Sequence, residues 1–148
     1  MEAIAIHHRG VILLSALGAA ACLGLNDTDS VSTTVWETQL TPGPAYPDVS
    51  GQAAAVSQSD GTSVGISIEG AEPEAAHLWG LRLGSCTTPG GQVGPDSDYP
   101  ELVVGETGSA SVETHLGPRL SLGSAYHIEV RLSASDGSRV ACGDLVGR

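Results

Sequence analysis

The sequence of 148 residues predicts an all-β domain. The expected architecture is a Greek-key sandwich or flattened barrel of about eight antiparallel strands. Three observations carry this reading. After residue 25 no run has the spacing of an amphipathic helix. Short runs of alternating apolar and polar residues recur instead, separated by turn residues. The composition, Gly 20 and Pro 8 against Phe 0, Trp 2 and Tyr 3, implies many turns and a core of Val, Ile, Leu and Ala.

Residues 1–21 are set apart as an export signal. Arg9, preceded by His7 and His8, makes a short basic start, and Val11 to Ala21 is an apolar run that ends in small residues. That run is too short to span a ~30 Å hydrocarbon core as a helix. Ala19-Ala20-Ala21 precedes Cys22, and the segment resembles a bacterial lipobox, in which the cysteine is acylated and becomes the mature N-terminus. The usual Leu three residues before the cysteine is Ala19 here, and the same residues satisfy the rule for ordinary secretion. The expectation is a lipid anchor on Cys22 at the bacterial cell envelope, with a soluble secreted or periplasmic protein as the alternative. Residues 22–30 follow as a tether, and 31–148 form the domain.

Along the domain, Val31 to Leu40 is rich in β-branched residues, and Thr41 to Asp48 is a Pro/Gly turn. Val49 to Ser57 and Thr62 to Glu69 are strands joined by a hairpin at Ser59-Asp60-Gly61. His77 to Leu83 alternates, with Leu81 and Leu83 on one face and Gly80 and Arg82 on the other. Residues 84–100 form a long loop. Leu102 to Val104, Ala110 to Leu116, Ala125 to Leu132 and Val140 to Val146 complete the strands. In the penultimate strand Tyr126, Ile128, Val130 and Leu132 face the core, which turns His127, Glu129 and Arg131 toward water.

Charge narrows the function. Seventeen acids face six bases, all arginine, for a formal net charge of -11. Such a chain is repelled by nucleic acid and by anionic lipid. Of three cysteines, Cys22 is assigned to lipid, which leaves Cys86 and Cys142 as a pair. Export makes a disulfide their default state, and two thiols alone make a poor metal site. Gly90-Gly91-Gln92-Val93-Gly94 has the glycines of a phosphate loop, but no helix follows and the chain has no Lys, so a turn-rich surface loop is expected. Trp79, Tyr99 and Pro100 read as packing anchors, and Glu72 and Glu74 as solvated acids.

The run Gly137-Ser138-Arg139-Val140-Ala141-Cys142-Gly143 resembles the end of a copper/zinc superoxide dismutase, where such a segment carries the active-site arginine and the second disulfide cysteine. Upstream, Val49 to Ala71 resembles the early hairpin of that family. Trp79-Gly80-Leu81-Arg82-Leu83-Gly84-Ser85-Cys86 stands where the family has a His-Val-His strand followed by the first disulfide cysteine. Ser124 to Arg131 stands where it has a Val-Val-His strand. The likeness covers roughly residues 31–146 by order and pattern. A second resemblance, to the CHRD-type β domain, rests on Trp-to-Cys spacing and alternating strands. The sandwich is therefore expected to be superoxide dismutase-like or immunoglobulin-like.

The departures from the dismutase pattern fall on its chemistry. The positions of the metal histidines carry Gly80, Arg82 and Arg131, and residues 87–100 hold no His. Asp96 and Asp98 lie there, but two carboxylates do not make a zinc site. Guanidinium groups repel a cation where one is required. Arg139 matches the family arginine, and an ion pair or a cover for the cysteine pair is its expected role. The principal expectation is a non-catalytic, exported, lipid-anchored binding or structural domain without a cofactor. The alternative is a metal-dependent dismutase or copper-binding protein with a relocated site built from His77, His115, His127 and Glu129. A third reading has the Arg82/Arg131 face accept a small anion or an acidic side chain of a protein partner.

Overall fold

The computed structural model describes residues 33–148. The export signal, Cys22 and the tether lie outside the described residues. The domain is all-β, with nine antiparallel strands among the described residues. They are β1 (Thr34–Pro42), β2 (Ser50–Gln58), β3 (Gly61–Glu69), β4 (Ala76–Gly84), β5 (Pro89–Gln92), β6 (Leu102–Val103), β7 (Ala110–Leu116), β8 (Tyr126–Arg131) and β9 (Arg139–Gly147). A three-residue 3-10 turn, Asp96–Asp98, precedes β6.

Strand order is β5-β4-β8-β9-β1-β2-β3-β7, with β6 paired on β4. The sheet curls on itself, so that one half (β5, β4, β8, β9) and the other (β1, β2, β3, β7) meet through the β9–β1 pairing. Consecutive strands β3 and β4 sit in different halves, as do β7 and β8, which gives the crossing connections of a Greek key. All eight expected strands are present. The ninth, β5, lies inside the segment expected to be a surface loop: Gln92 pairs with Arg82, and Pro89 with Gly84. The Pro-Gly-Gly-Gln run has no alternation to betray a strand.

The β2–β3 hairpin turns where expected, and Gly61 has φ 144°, a value that favours glycine. Inward residues of both halves make one core, including Trp36, Leu40, Val64, Ile66, Trp79, Leu81, Ile128 and Val130. Trp79 packs edge-on to Tyr99 at 5.1 Å, and its indole N–H donates to the Pro100 carbonyl at 2.8 Å. The three residues serve as the anchors expected of them. The β7–β8 crossover is tied down by buried hydroxyls. Thr62 donates to the Pro118 carbonyl at 2.8 Å, and the Leu120 N–H donates to Ser57 Oγ at 3.0 Å.

Candidate functional site

Side chains of the sheet alternate between the core and the outer face. On β4, β8 and β9 the registers set the outer residues in three cross-strand rows: Leu78–Arg131–Arg139, Gly80–Glu129–Cys142 and Arg82–His127–Asp144. A shift in register between Val130 and Arg131 separates the first row from the second. Apart from Cys86, the positions the dismutase resemblance singles out fall on this grid. Gly80, Arg82 and Arg131 share it with Arg139 and Cys142.

Cys86 and Cys142 form a disulfide, with Cα atoms 6.0 Å apart. The bond holds the turn after β4 against β9. A second tie accompanies it: the Cys86 N–H donates to Asp144 Oδ1 at 2.7 Å. Arg82 and Gln92 extend the cover. Arg82 Nε donates to the Gly90 carbonyl at 3.2 Å, and Gln92 donates to Asp96 Oδ1 at 2.6 Å. A Cβ on Gly80 would stand only 2.9 Å from Gln92 Oε1, so the space of that missing side chain is taken by the Gln92 amide.

This cover corrects one sequence expectation. His127 does point away from the core, but it is not turned to water; it is fully buried (0%). The parity was right, and the β5 hairpin that blankets the outer face was invisible in the sequence. Neither ring nitrogen of His127 has a hydrogen-bond partner. Burial holds its pKa below the usual imidazole value, while the polar backbone at Gly84 and the carboxylates of Glu129 and Asp144 act in the opposite direction.

Glu129 is also removed from water, with its side chain 12% exposed. Its Oε1 accepts from Arg139 Nε at 3.2 Å, and its Oε2 lies 3.9 Å from Arg82 Nε. Arg139 therefore has the ion pair that its position suggested. Arg131 stands directly across the ladder from Arg139 and, among the described residues, has no ion pair. Two guanidinium groups, those of Arg82 and Arg139, thus flank one carboxylate, and Arg131 adds a third positive charge in the neighbouring row. Arg82 and Arg139 engage the protein through Nε, so their terminal nitrogens, the fork that grips carboxylate or phosphate in two places, remain available.

The relocated metal cluster does not assemble. His77 lies on the core side of β4 beside Leu102, 3% exposed. His115 lies on β7, which pairs with β3 and not with β8; its ring nitrogens meet Ser63 Oγ and the Asp60 carbonyl. Only His127 and Glu129 share a face. Pairing of the His115 strand with the His127 strand, which the cluster required, is excluded by the crossover from β7 to β8. Among the described residues no group of three or more His, Cys, Asp or Glu side chains is placed to hold a metal. Nor do the family's ligand positions fit copper or zinc: one is a glycine filled by Gln92, and two are arginines.

The sequence reading missed Asp144 and Gln92. Asp144 had a usable signal, because it stands two residues after Cys142 on a strand and so shares its face. Gln92 had none. No protein-family model matches the chain, and no curated protein is significantly similar to it.

Proposed function

We propose that the chain is an exported, lipid-anchored, superoxide dismutase-like domain that lacks the copper and zinc histidines. It serves a non-catalytic binding or structural role at the cell envelope. Its binding face is the outer side of β4, β8 and β9, and its ligand is a small anion or an acidic side chain of a partner. One observation carries the binding reading: Arg82 and Arg139 flank the single carboxylate of Glu129, with Arg131 across the ladder from Arg139, in a chain of net charge -11. Elsewhere acids dominate, so this cluster is a local positive site that attracts an anion and orients it through paired N–H groups.

The test is a titration of the disulfide-bonded chain with inorganic phosphate and with an acidic peptide, followed by calorimetry. Saturable binding is expected, and Arg82→Ser with Arg131→Ser abolishes it while the melting transition stays. Binding unchanged in that double variant overturns the reading. Two further measurements bear on the rest of it. Cys22→Ser should release the chain from the membrane fraction. Copper and zinc retained by the disulfide-bonded chain after desalting should fall well below one per chain; a full equivalent of copper would return the dismutase reading.

A further inference from the structure

We propose that the free edge of β7 is a docking site for an extended, basic segment of a partner protein, which joins the sheet as a further antiparallel strand. β7 ends the strand order, paired with β3 on one side and with no strand on the other. The ladder fixes which backbone groups face that open side. The β2–β3 hairpin closes on the pair Gln58–Gly61 across a two-residue turn, so this pair exchanges both of its hydrogen bonds. The register beyond it is regular, and alternation turns the backbone of Thr62, Val64, Ile66 and Ile68 toward β7. Their partners Leu116, Thr114, Val112 and Ala110 are satisfied in return. The N–H and C=O groups of Ser111, Glu113 and His115 therefore point to the open side. None of these groups has a hydrogen-bond partner among the described residues, and all three residues are exposed.

An unpaired edge is a template for another chain, and proteins commonly blunt it with Lys, Pro, a bulge or a covering strand. β7 has no Lys, no Pro and no break in register. The Thr114 hydroxyl donates to the Asp98 carbonyl at 2.5 Å, which braces the strand without using its outward backbone groups.

The side chains along the edge select the occupant. On the core side Val112 and Thr114 are half-buried, and Val112 packs at the margin of the core. A strand laid beside them sets two of its own side chains there, which favours apolar or β-branched residues. On the outer side it sets one side chain opposite Glu113, whose carboxylate has no ion pair among the described residues. Lys or Arg gains an opposite-charge cross-strand pair at that position, and Asp or Glu is repelled. The net charge of -11 acts in the same direction, attracting a basic segment and repelling a second copy of the chain. The ligand is thus a strand that alternates apolar and polar residues, with a basic residue opposite Glu113. This edge lies in the half of the sheet that does not carry the guanidinium face, so its failure would leave anion binding untouched.

The test uses the full disulfide-bonded chain with Cys22→Ser, isotope-labelled for magnetic resonance, and the end-capped peptide Thr-Val-Lys-Val-Thr. The amide signals of Ser111, Glu113 and His115 are expected to shift on titration, and their hydrogen exchange to slow. The same peptide methylated on its lysine amide nitrogen lacks the donor that faces Glu113 and should not bind. Thr-Val-Glu-Val-Thr should bind about tenfold more weakly, because the cross-strand pair becomes repulsive. In Glu113→Lys that preference should invert while the melting transition stays, since the side chain is exposed. The proposal is overturned by the absence of shifts at millimolar peptide, by shifts centred on another strand, by equal binding of the methylated peptide, or by an unchanged preference in Glu113→Lys. Self-association through the same amides, seen by sedimentation without peptide, would overturn it in favour of a second copy.

Discussion

Arg139 Nε donates to Glu129 Oε1 at 3.2 Å across the irregular β8–β9 ladder, and the same carboxylate faces Arg82 from the other side. Glu129 is therefore the internal counter-ion of the arginine cluster. Glu129→Gln keeps its shape and removes its charge. The variant is expected to lose about 1–3 kcal/mol of stability, read from urea unfolding. It is also expected to bind phosphate more tightly, because the resident competitor for the guanidinium forks is gone. An unchanged unfolding midpoint together with unchanged phosphate affinity would contradict this role.

The disulfide spans a sequence separation of 56 residues. On chain-entropy grounds, closing a loop of that length stabilises by roughly 4 kcal/mol. Cys86→Ser should lower the melting temperature accordingly and leave Cys142 to react with a thiol reagent. A melt that matches the parent would mean that the hydrogen bond from Cys86 to Asp144 and the β4–β5 pairing hold the turn unaided.

At Gly143 β9 packs tightly against β1. A Cβ there would stand 2.5 Å from Thr38 Oγ1 and 2.6 Å from the Gln39 carbonyl. The backbone atom cannot yield as a flexible side chain would. Gly143→Ala is expected to cost about 1–3 kcal/mol by overpacking, measured by thermal unfolding. Gly117→Ala, in open space, is the control and should melt like the parent.

Tyr99 supplies the alkaline limit. Its hydroxyl is buried, bonded to the Val93 carbonyl and 3.4 Å from the Leu81 carbonyl. Burial pushes its pKa up to about 12 from the ordinary 10.0. The unfolded chain therefore loses this proton first. The stabilising contribution is whole below pH 10 and is lost as pH rises toward 12. A series of melts across that window should decline, and Tyr99→Phe should flatten the decline at a cost of about 1 kcal/mol at neutral pH. An identical slope in the variant would move the effect to another group.

The strands were legible because their outer and inner residues differ in polarity. Tyr126, Ile128 and Val130 face the core as their alternation required, and Trp36, Leu81 and Val64 join them. The cysteine pair was legible from the count of three cysteines, once Cys22 is set aside as the expected lipid site. What alternation cannot convey is what lies over an outer face. His127 has the parity of a solvated residue and is nevertheless sealed, because Pro89–Gln92 adds a strand whose glycines carry no pattern. The same limit applied to Arg82 and Arg131, which the sequence joined as a pair. The regular β4–β8 register sets Arg131 across from Leu78, two rows from Arg82, and the shift on the β9 side sets it across from Arg139. His115 was considered as a neighbour of His127 only because strand order is a property of the whole chain.

The position of β9 bears on how the domain is made. This strand pairs with β1 on one side and β8 on the other, so it is the seam between the two halves. A nascent segment that stops at residue 138 has every other strand and still cannot join them. Contacts this distant in sequence make folding slow. The domain therefore becomes rigid only after its final strand has arrived.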